Sequence, residues 1–321
     1  MNVGNTAINK KRVVRKPQTN ILLKMFRQRY LYIMLLPALV GIIIFCYIPI
    51  AGWIIAFKNY RIGMSVWNAE WVGLSNFKTF FIESSDYIYV IRNTLFMNIS
   101  TIIINLTLAF AFAILLKEIK MKFFSKTVQT LTFFPFFISW VITYSIFYAL
   151  LATSSGALNQ ALIGAGVISE GLNILGNTDF SWILIIAMNA WKYLGYNSVI
   201  FIASTAGIPL EQYEAAEIDG AGRFGKIRYI TIPNLMPTFI VLLIMNSGWI
   251  LNSNFEQFYL FTNTTNWETM EVLDMYVYKF GLKLLNYPYA TAVGIIKTTV
   301  SLLILITVNS ISRKITEKSI L

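Results

Sequence analysis

Apolar positions along this chain gather into long runs separated by short polar segments. A bilayer crossing takes about 20 mostly apolar residues, and in lipid the backbone must pair within itself, which favours helix. Runs of that length cover residues 30–57, 93–116, 127–151, 180–206, 236–255 and 289–312. The first two carry no charge, and the fourth and sixth are interrupted only by Lys192 and Lys297. The pattern predicts an all-α integral membrane protein with six transmembrane helices. The segment 152–179 is polar but nearly uncharged, so the ends of the third and fourth spans are the least sharply drawn.

Charge then orients the spans. Basic residues concentrate at Lys10 to Arg29, Lys117 to Lys126, Arg223 to Arg228 and Arg313 to Lys318, which all fall on one side if both termini are cytoplasmic. That asymmetry matches the positive-inside rule. The net charge of +11 therefore reports topology, and its scatter over short segments argues against nucleic-acid binding. Residues 1–29 are expected to be a cytoplasmic N-terminal segment with a short interfacial helix at 21–30. Residues 30–312 would form the membrane-spanning domain and 313–321 a cytoplasmic tail. The first apolar run is too long for a signal peptide and has no small-residue cleavage site after it. A single cysteine, Cys46, and no histidine exclude internal disulfides, Cys/His zinc sites and His-dependent catalytic sets. No catalytic residue and no metal site is expected.

The most informative polar segment is the loop 207–233. It contains Glu214-Ala215-Ala216-Glu217-Ile218-Asp219-Gly220 and, after nine intervening residues, Ile230-Thr231-Ile232-Pro233. Gly220, Gly222, Gly225 and Lys226 mimic a dinucleotide fingerprint and most of a P-loop. The first needs a strand within a βαβ unit, and the second needs Ser or Thr where Ile227 stands. Two short helices around a turn fit better: one over 209–218 opened by Pro209, a left-handed Gly220 as its cap, and a second over 222–230 stopped by Pro233. Small residues at Ala215, Ala216, Ala221 and Gly222 would let a partner's backbone approach.

This spacing resembles the "EAA" loop of permease subunits of binding-protein-dependent ABC importers, with Ile232 in place of the usual Leu. Trp71-Val72-Gly73-Leu74-Ser75-Asn76-Phe77, Arg92-Asn93-Thr94, Phe134-Pro135 through Val141, and Tyr289-Ala290-Thr291-Ala292-Val293-Gly294 resemble segments of the carbohydrate permeases, in the branch that includes importers of plant-wall fragments such as pectin. The resemblance covers about residues 30–315 and implies the type I ABC importer permease fold in a bacterial cell membrane. It implies a second related permease as a heterodimeric partner, two cytoplasmic ABC ATPase subunits and an extracellular sugar-binding protein. ATP and Mg would be used by the ATPases, with no cofactor bound by this chain and no covalent chemistry performed by it. Glu214, Ala215, Ala216, Asp219, Gly220, Ile230 and Pro233 would form the coupling element that docks on the ATPase.

Polar groups inside a membrane are costly and mark functional positions. In the fifth span, Asn246, Ser253 and Asn254 fall near one face at helical spacing, with Ser247 and Trp249 close by. In the fourth, Asn189, Lys192, Tyr193 and Tyr196 share a face. Amides suit sugar hydroxyls and aromatic rings suit sugar C–H faces, so these residues form a candidate carbohydrate passage; interhelical glue is the other reading. By resemblance to maltose-type permeases, Ser247 and Asn254 would meet substrate. Lys192 needs a uronate, Glu256 or backbone carbonyls as its partner, while Lys297 and Arg92 can snorkel. The rival functions are a stand-alone secondary transporter, which usually shows repeated halves with broken helices, and a membrane glycosyltransferase, which would want clustered acids. The chain shows neither an internal repeat nor a D-x-D pair.

Overall fold

The computed structural model describes residues 28–316, which are helical apart from their loops and one isolated antiparallel bridge between Lys58 and Trp71. Most of the interfacial helix expected at 21–30, and the end of the tail, lie outside the described residues. Contacts divide the chain between Trp53 and Ile54 into two units. The first contains α1 (Arg29–Ile42), which carries Pro37 in its interior and continues through a π turn, Ile43–Tyr47; the 3-10 stretch that follows, Ile48–Phe57, runs across the division. Pro49 falls in the 3-10 stretch, and because proline lacks a backbone donor an altered turn accommodates it.

The second unit holds everything on which the site depends. Its main helices are α2 (Asp86–Lys117), α3 (Lys122–Phe133), α4 (Trp140–Leu151) and α5 (Thr178–Ala206). They are followed by α6 (Leu210–Ile218), α7 (Arg223–Lys226), α8 (Ile232–Ser247), α9 (Phe255–Phe261), α10 (Leu273–Tyr278) and α11 (Tyr287–Thr316). Helices α2 and α5 pack along much of their length. Leu106, Ala109 and Ala113 of α2 meet Phe201 of α5 in one apolar cluster, with Phe239 and Leu242 of α8 against it. A second cluster joins Met97, Trp140, Ile185, Met188 and Phe258, and a third joins Phe80, Val90, Leu251, Tyr276 and Val293.

Among the described residues, four helical stretches are long and apolar enough to cross a membrane: Arg29–Phe57, Asp86–Lys117, Arg223–Ser247 and Tyr287–Ser310. The third expected span is not one straight helix. It bends by 104° between Lys122–Phe137 and Trp140–Leu151. Pro135 sits in a 3-10 turn at the break, Ile138 is extended, and the Ser139 hydroxyl caps α4 by accepting from the Ile142 amide. Helix α5 spans 29 residues, ample length for a crossing, but its polar face keeps it out of the strongly apolar set. At Gly195 it approaches α3 so closely that a Cβ would lie 2.5 Å from the Phe133 backbone, so this crossing requires glycine.

Two further expectations are corrected in α8. Pro233 does not stop the helix: the chain is helical from Arg223 to Ser247, because the π turn Ile227–Thr231 precedes Pro233 and places it in the first turn of α8. The short second helix expected at 222–230 is therefore the beginning of this longer one. At its other end α8 terminates at Ser247, well before residue 255. Turns follow, and the backbone carbonyl of Ile250 accepts from Asn98 while the amide of Ser253 donates to Asp274. Side chains of other elements thus take over bonds that helix continuation would have made.

Candidate coupling loop and transport passage

The loop between α5 and α8 is built as a capped helix and a return. Pro209 precedes α6, and Glu211 lies in its first turn, where a negative charge suits the helix dipole. At the other end the Ala221 amide donates to the Ala216 carbonyl at 2.8 Å and the Gly220 amide to Glu217 at 3.1 Å. Gly220 has φ +77, and the arrangement is the double-bonded glycine cap that ends many helices. Lys226 then reaches back to Glu217 at 2.9 Å, and this hydrogen bond and charge hold the Glu217 carboxyl below the usual carboxylate range.

Tyr213, which the sequence pattern did not single out, anchors the loop. Its hydroxyl accepts from Lys117 at the end of α2 at 2.5 Å and lies 2.9 Å from the Thr231 hydroxyl. Asn234 donates to Gln212 at 3.0 Å. Held this way, the loop presents Glu214, Ala215, Ile218, Asp219, Phe224 and Tyr229 outward, with Ile218 87% and Phe224 88% exposed. Ala216 and Ile230 are half-buried, and Pro233 is exposed. A charged, small-residue surface edged by large apolar side chains is suited to protein docking.

On the other half of α5 a cavity of about 280 Å³ opens among α2, α5, α8 and the segment leading into α9. Asn98, Thr101 and Asn105 face it from α2, at i, i+3 and i+7; Asn189, Tyr193, Tyr196 and Asn197 face it from α5, at i, i+4, i+7 and i+8. Asn246, Trp249, Asn252, Asn254, Gln257 and Phe258 complete the wall. The lining holds amides, three hydroxyls and aromatic rings beside Ile102 and Leu106, with no Lys, Arg, Asp or Glu. Several amides form a relay: Asn105 donates to Asn189 at 2.8 Å, Asn189 to Gln257 at 2.9 Å, and Gln257 to the Ile185 carbonyl at 2.9 Å. Asn105 Oδ1 is buried with no partner among the described residues.

Of the passage residues expected from sequence, Asn189, Tyr193, Tyr196, Asn246, Trp249 and Asn254 line this cavity. They do so for a different reason in the fifth span, where Asn254 lies beyond the helix and caps α9 by accepting from the Gln257 amide at 3.2 Å. Ser247 does not line it; it is buried and donates to the Ile244 carbonyl. Lys192 is also elsewhere. The residue is 3% exposed, and its ammonium donates to the carbonyls of Pro135 and Ile138, with Phe136 at 3.5 Å, at the break of the third span. Of the partners the sequence left open for it, backbone carbonyls are the ones it takes. Lys297 does not snorkel but pairs with Asp274, the same carboxylate that receives the Ser253 amide. Sequence reasoning missed Asn98, Thr101 and Asn105, whose 3.6-residue polar spacing inside an uncharged span was the available signal.

The known proteins most informative about this chain are permeases. Residues 105–317 match the family model described as the binding-protein-dependent transport system inner membrane component. Protein LplB of Bacillus subtilis (strain 168) is 36% identical over 300 residues, 92% of this chain and 92% of LplB. The polygalacturonan/rhamnogalacturonan transport system permease protein YteP of the same organism is 35% identical over 306 residues, 95% of this chain and 94% of YteP. A chain in the crystal structure of a bacterial alginate ABC transporter, in complex with an alginate pentasaccharide-bound periplasmic protein, superposes with a TM-score of 0.85 at 33% identity, covering 94% of this chain and 99% of its own. With a family match over most of its length, a loop and spans arranged as described, and relatives aligned nearly end to end, the chain belongs to the family of inner-membrane components of binding-protein-dependent transport systems.

Proposed function

We propose that this chain is a permease subunit of an ATP-driven importer that carries oligosaccharides, delivered by an extracellular binding protein, across a bacterial cell membrane. The observation that carries the reading is that one helix, α5, has an amide-and-aromatic cavity on its length and the docking loop at its end. The amides match sugar hydroxyls, and Tyr193, Tyr196 and Trp249 match the flat C–H faces of pyranose rings. The relatives' substrates, polygalacturonan, rhamnogalacturonan and alginate, support a polyhydroxylated cargo from an acidic polysaccharide.

The chain works with a second permease and two cytoplasmic ATPase subunits, which hold the ATP and Mg. Closure of the ATPases pulls on Glu214, Ala215, Ala216, Asp219 and Gly220, and the joined helices α5 and α8 carry that motion to the cavity. Each nucleotide state then favours one access state, so the chain converts ATP-driven motion into a shift of population and makes or breaks no covalent bond. The test is to tag the chain in its native cell, copurify it, and follow uptake of labelled pectin-derived oligosaccharides with and without its gene. Recovery of an ATPase together with loss of oligosaccharide uptake in the deletion is the expected result; uptake unchanged by deletion, or purification without an ATPase, overturns the reading.

A further inference from the structure

Helix α6 buries little of itself against the rest of the chain. Of its nine residues, Tyr213 and Ala216 are half-buried and the others are exposed. Its backbone joins α5 through Gly207-Ile208-Pro209 and joins α7 through the Gly220 turn. A short helix on such connections tilts by itself unless side chains fix it. Those side chains therefore decide which part of the bundle follows when α6 is pushed.

Three side-chain bonds tie α6 to the stretch that leads into α8: Gln212 with Asn234 at 3.0 Å, Tyr213 with Thr231 at 2.9 Å, and Glu217 with Lys226 at 2.9 Å. A fourth reaches a helix that no nearby backbone connects to the loop. Lys117, the last residue of α2, stands 96 positions from Tyr213 in the chain and places Nζ 2.5 Å from its hydroxyl and 4.0 Å from its ring centre. An ammonium can only donate, so the phenol oxygen accepts from Lys117 and its own proton is available to the buried Thr231 hydroxyl. One hydroxyl thus meets the end of α2 and the start of α8, and the bond to Lys117 is of the stronger, charge-assisted kind.

We infer that Tyr213 is a positioning residue for coupling: its grip on Lys117 makes α6 a handle for α2 as well as for α5 and α8. This rests on the reading of the chain as an importer permease. Helix α2 contributes Asn98, Thr101 and Asn105 to the cavity wall, and it packs along α5. A displacement passed from Tyr213 to Lys117 therefore moves α2 and α5 as a pair. Without that grip the same displacement is absorbed by tilting of α6 about Gly207 to Pro209, and the cavity wall is left where it was.

The experiment uses the complete importer with its binding protein in vesicles, and reads uptake of labelled pectin-derived oligosaccharides per ATP hydrolysed. Tyr213→Phe keeps the ring and removes the hydroxyl, while Lys117→Met removes the donor. Each is expected to lower transport per ATP by about two- to thirtyfold, with the ATPase still copurifying. Because both break one link, the double variant is expected to lose clearly less than the product of the single losses. Lys117→Arg keeps a donor and is expected to transport better per ATP than Lys117→Met, a comparison that holds even if Tyr213→Phe fails to assemble. Wild-type transport per ATP in either single variant, losses that simply multiply, or equal transport by the arginine and methionine variants overturns the inference and leaves the importer reading intact. Loss of the ATPase from the variant complexes also overturns it, since Tyr213 would then only shape the docking surface. A wild-type complex that holds no ATPase or carries no oligosaccharide overturns the importer reading and the inference together.

Discussion

Gly220 shows how one residue shapes the loop that we propose docks on the ATPase. Its backbone sits at φ +77, and open space surrounds the position where a Cβ would project, so strain there is conformational rather than steric crowding. A β-branched residue in this region costs about 1–2 kcal/mol, enough to favour a different end for α6. Gly220→Val is therefore expected to leave the chain in the membrane but to uncouple ATP hydrolysis from uptake. The measurement is transport per ATP in a complex expressed at wild-type level, and wild-type stoichiometry would refute the role given to this turn. Other single residues of the recognised motifs have structural duties. Asn76 donates to the Ala56 carbonyl at 2.8 Å, Asn93 to that of Glu268 at 2.7 Å, and Thr94 accepts from the Leu273 amide. Their spacing in the sequence marks the family, while their bonds hold loops to helices.

At the scale of elements, the broken third span and α5 form one joint. A helix that ends inside a membrane leaves carbonyls without partners, an expensive state in lipid. Lys192 supplies those partners from α5, and its ammonium lies 5.3 Å from the centre of the Trp140 ring. Beside it Phe136 stacks on Tyr196 with ring centres 4.2 Å apart, which ties the break to the cavity wall. Lys192→Met is expected to remove charge-assisted bonds of about 1.5–3 kcal/mol each. The result should be a lower melting temperature and yield of the assembled complex, affecting neutral and acidic oligosaccharides alike. Selective loss of acidic oligosaccharides in a complex of normal stability would instead place Lys192 on a carboxylate.

For the whole molecule, the proposed function puts nucleotide on the partner subunits. The glycine-rich turn from Gly220 to Lys226 imitates a phosphate loop, yet Lys226 is engaged by Glu217 and Ile227 continues the helix. The purified chain without ATPase subunits is expected to show no saturable ATP binding. Binding that disappears in Lys226→Ala would reverse that assignment.

Sequence by itself determined the helical class, the apolar segments and the helix and glycine turn of the 207–233 loop, since these depend on hydropathy over about 20 residues and on local turn chemistry. It also placed Asn189, Tyr193, Tyr196, Asn246, Trp249 and Asn254 correctly as neighbours of one another. What it could not reach is where helices stop for the sake of other elements. The third span breaks where Lys192 can satisfy its carbonyls, and α8 ends where Asn98 and Asp274 take the next backbone groups. Those partners are 54 to 57 and 152 residues away in the chain for Lys192 and Asn98, so no local period encodes them. For the same reason Lys192 and Ser247 shared a predicted face with the passage but turned to bonds elsewhere, while Asn105 became the head of a relay. A helical face can be counted from sequence; the partner that claims each polar group on it is settled only when the helices pack.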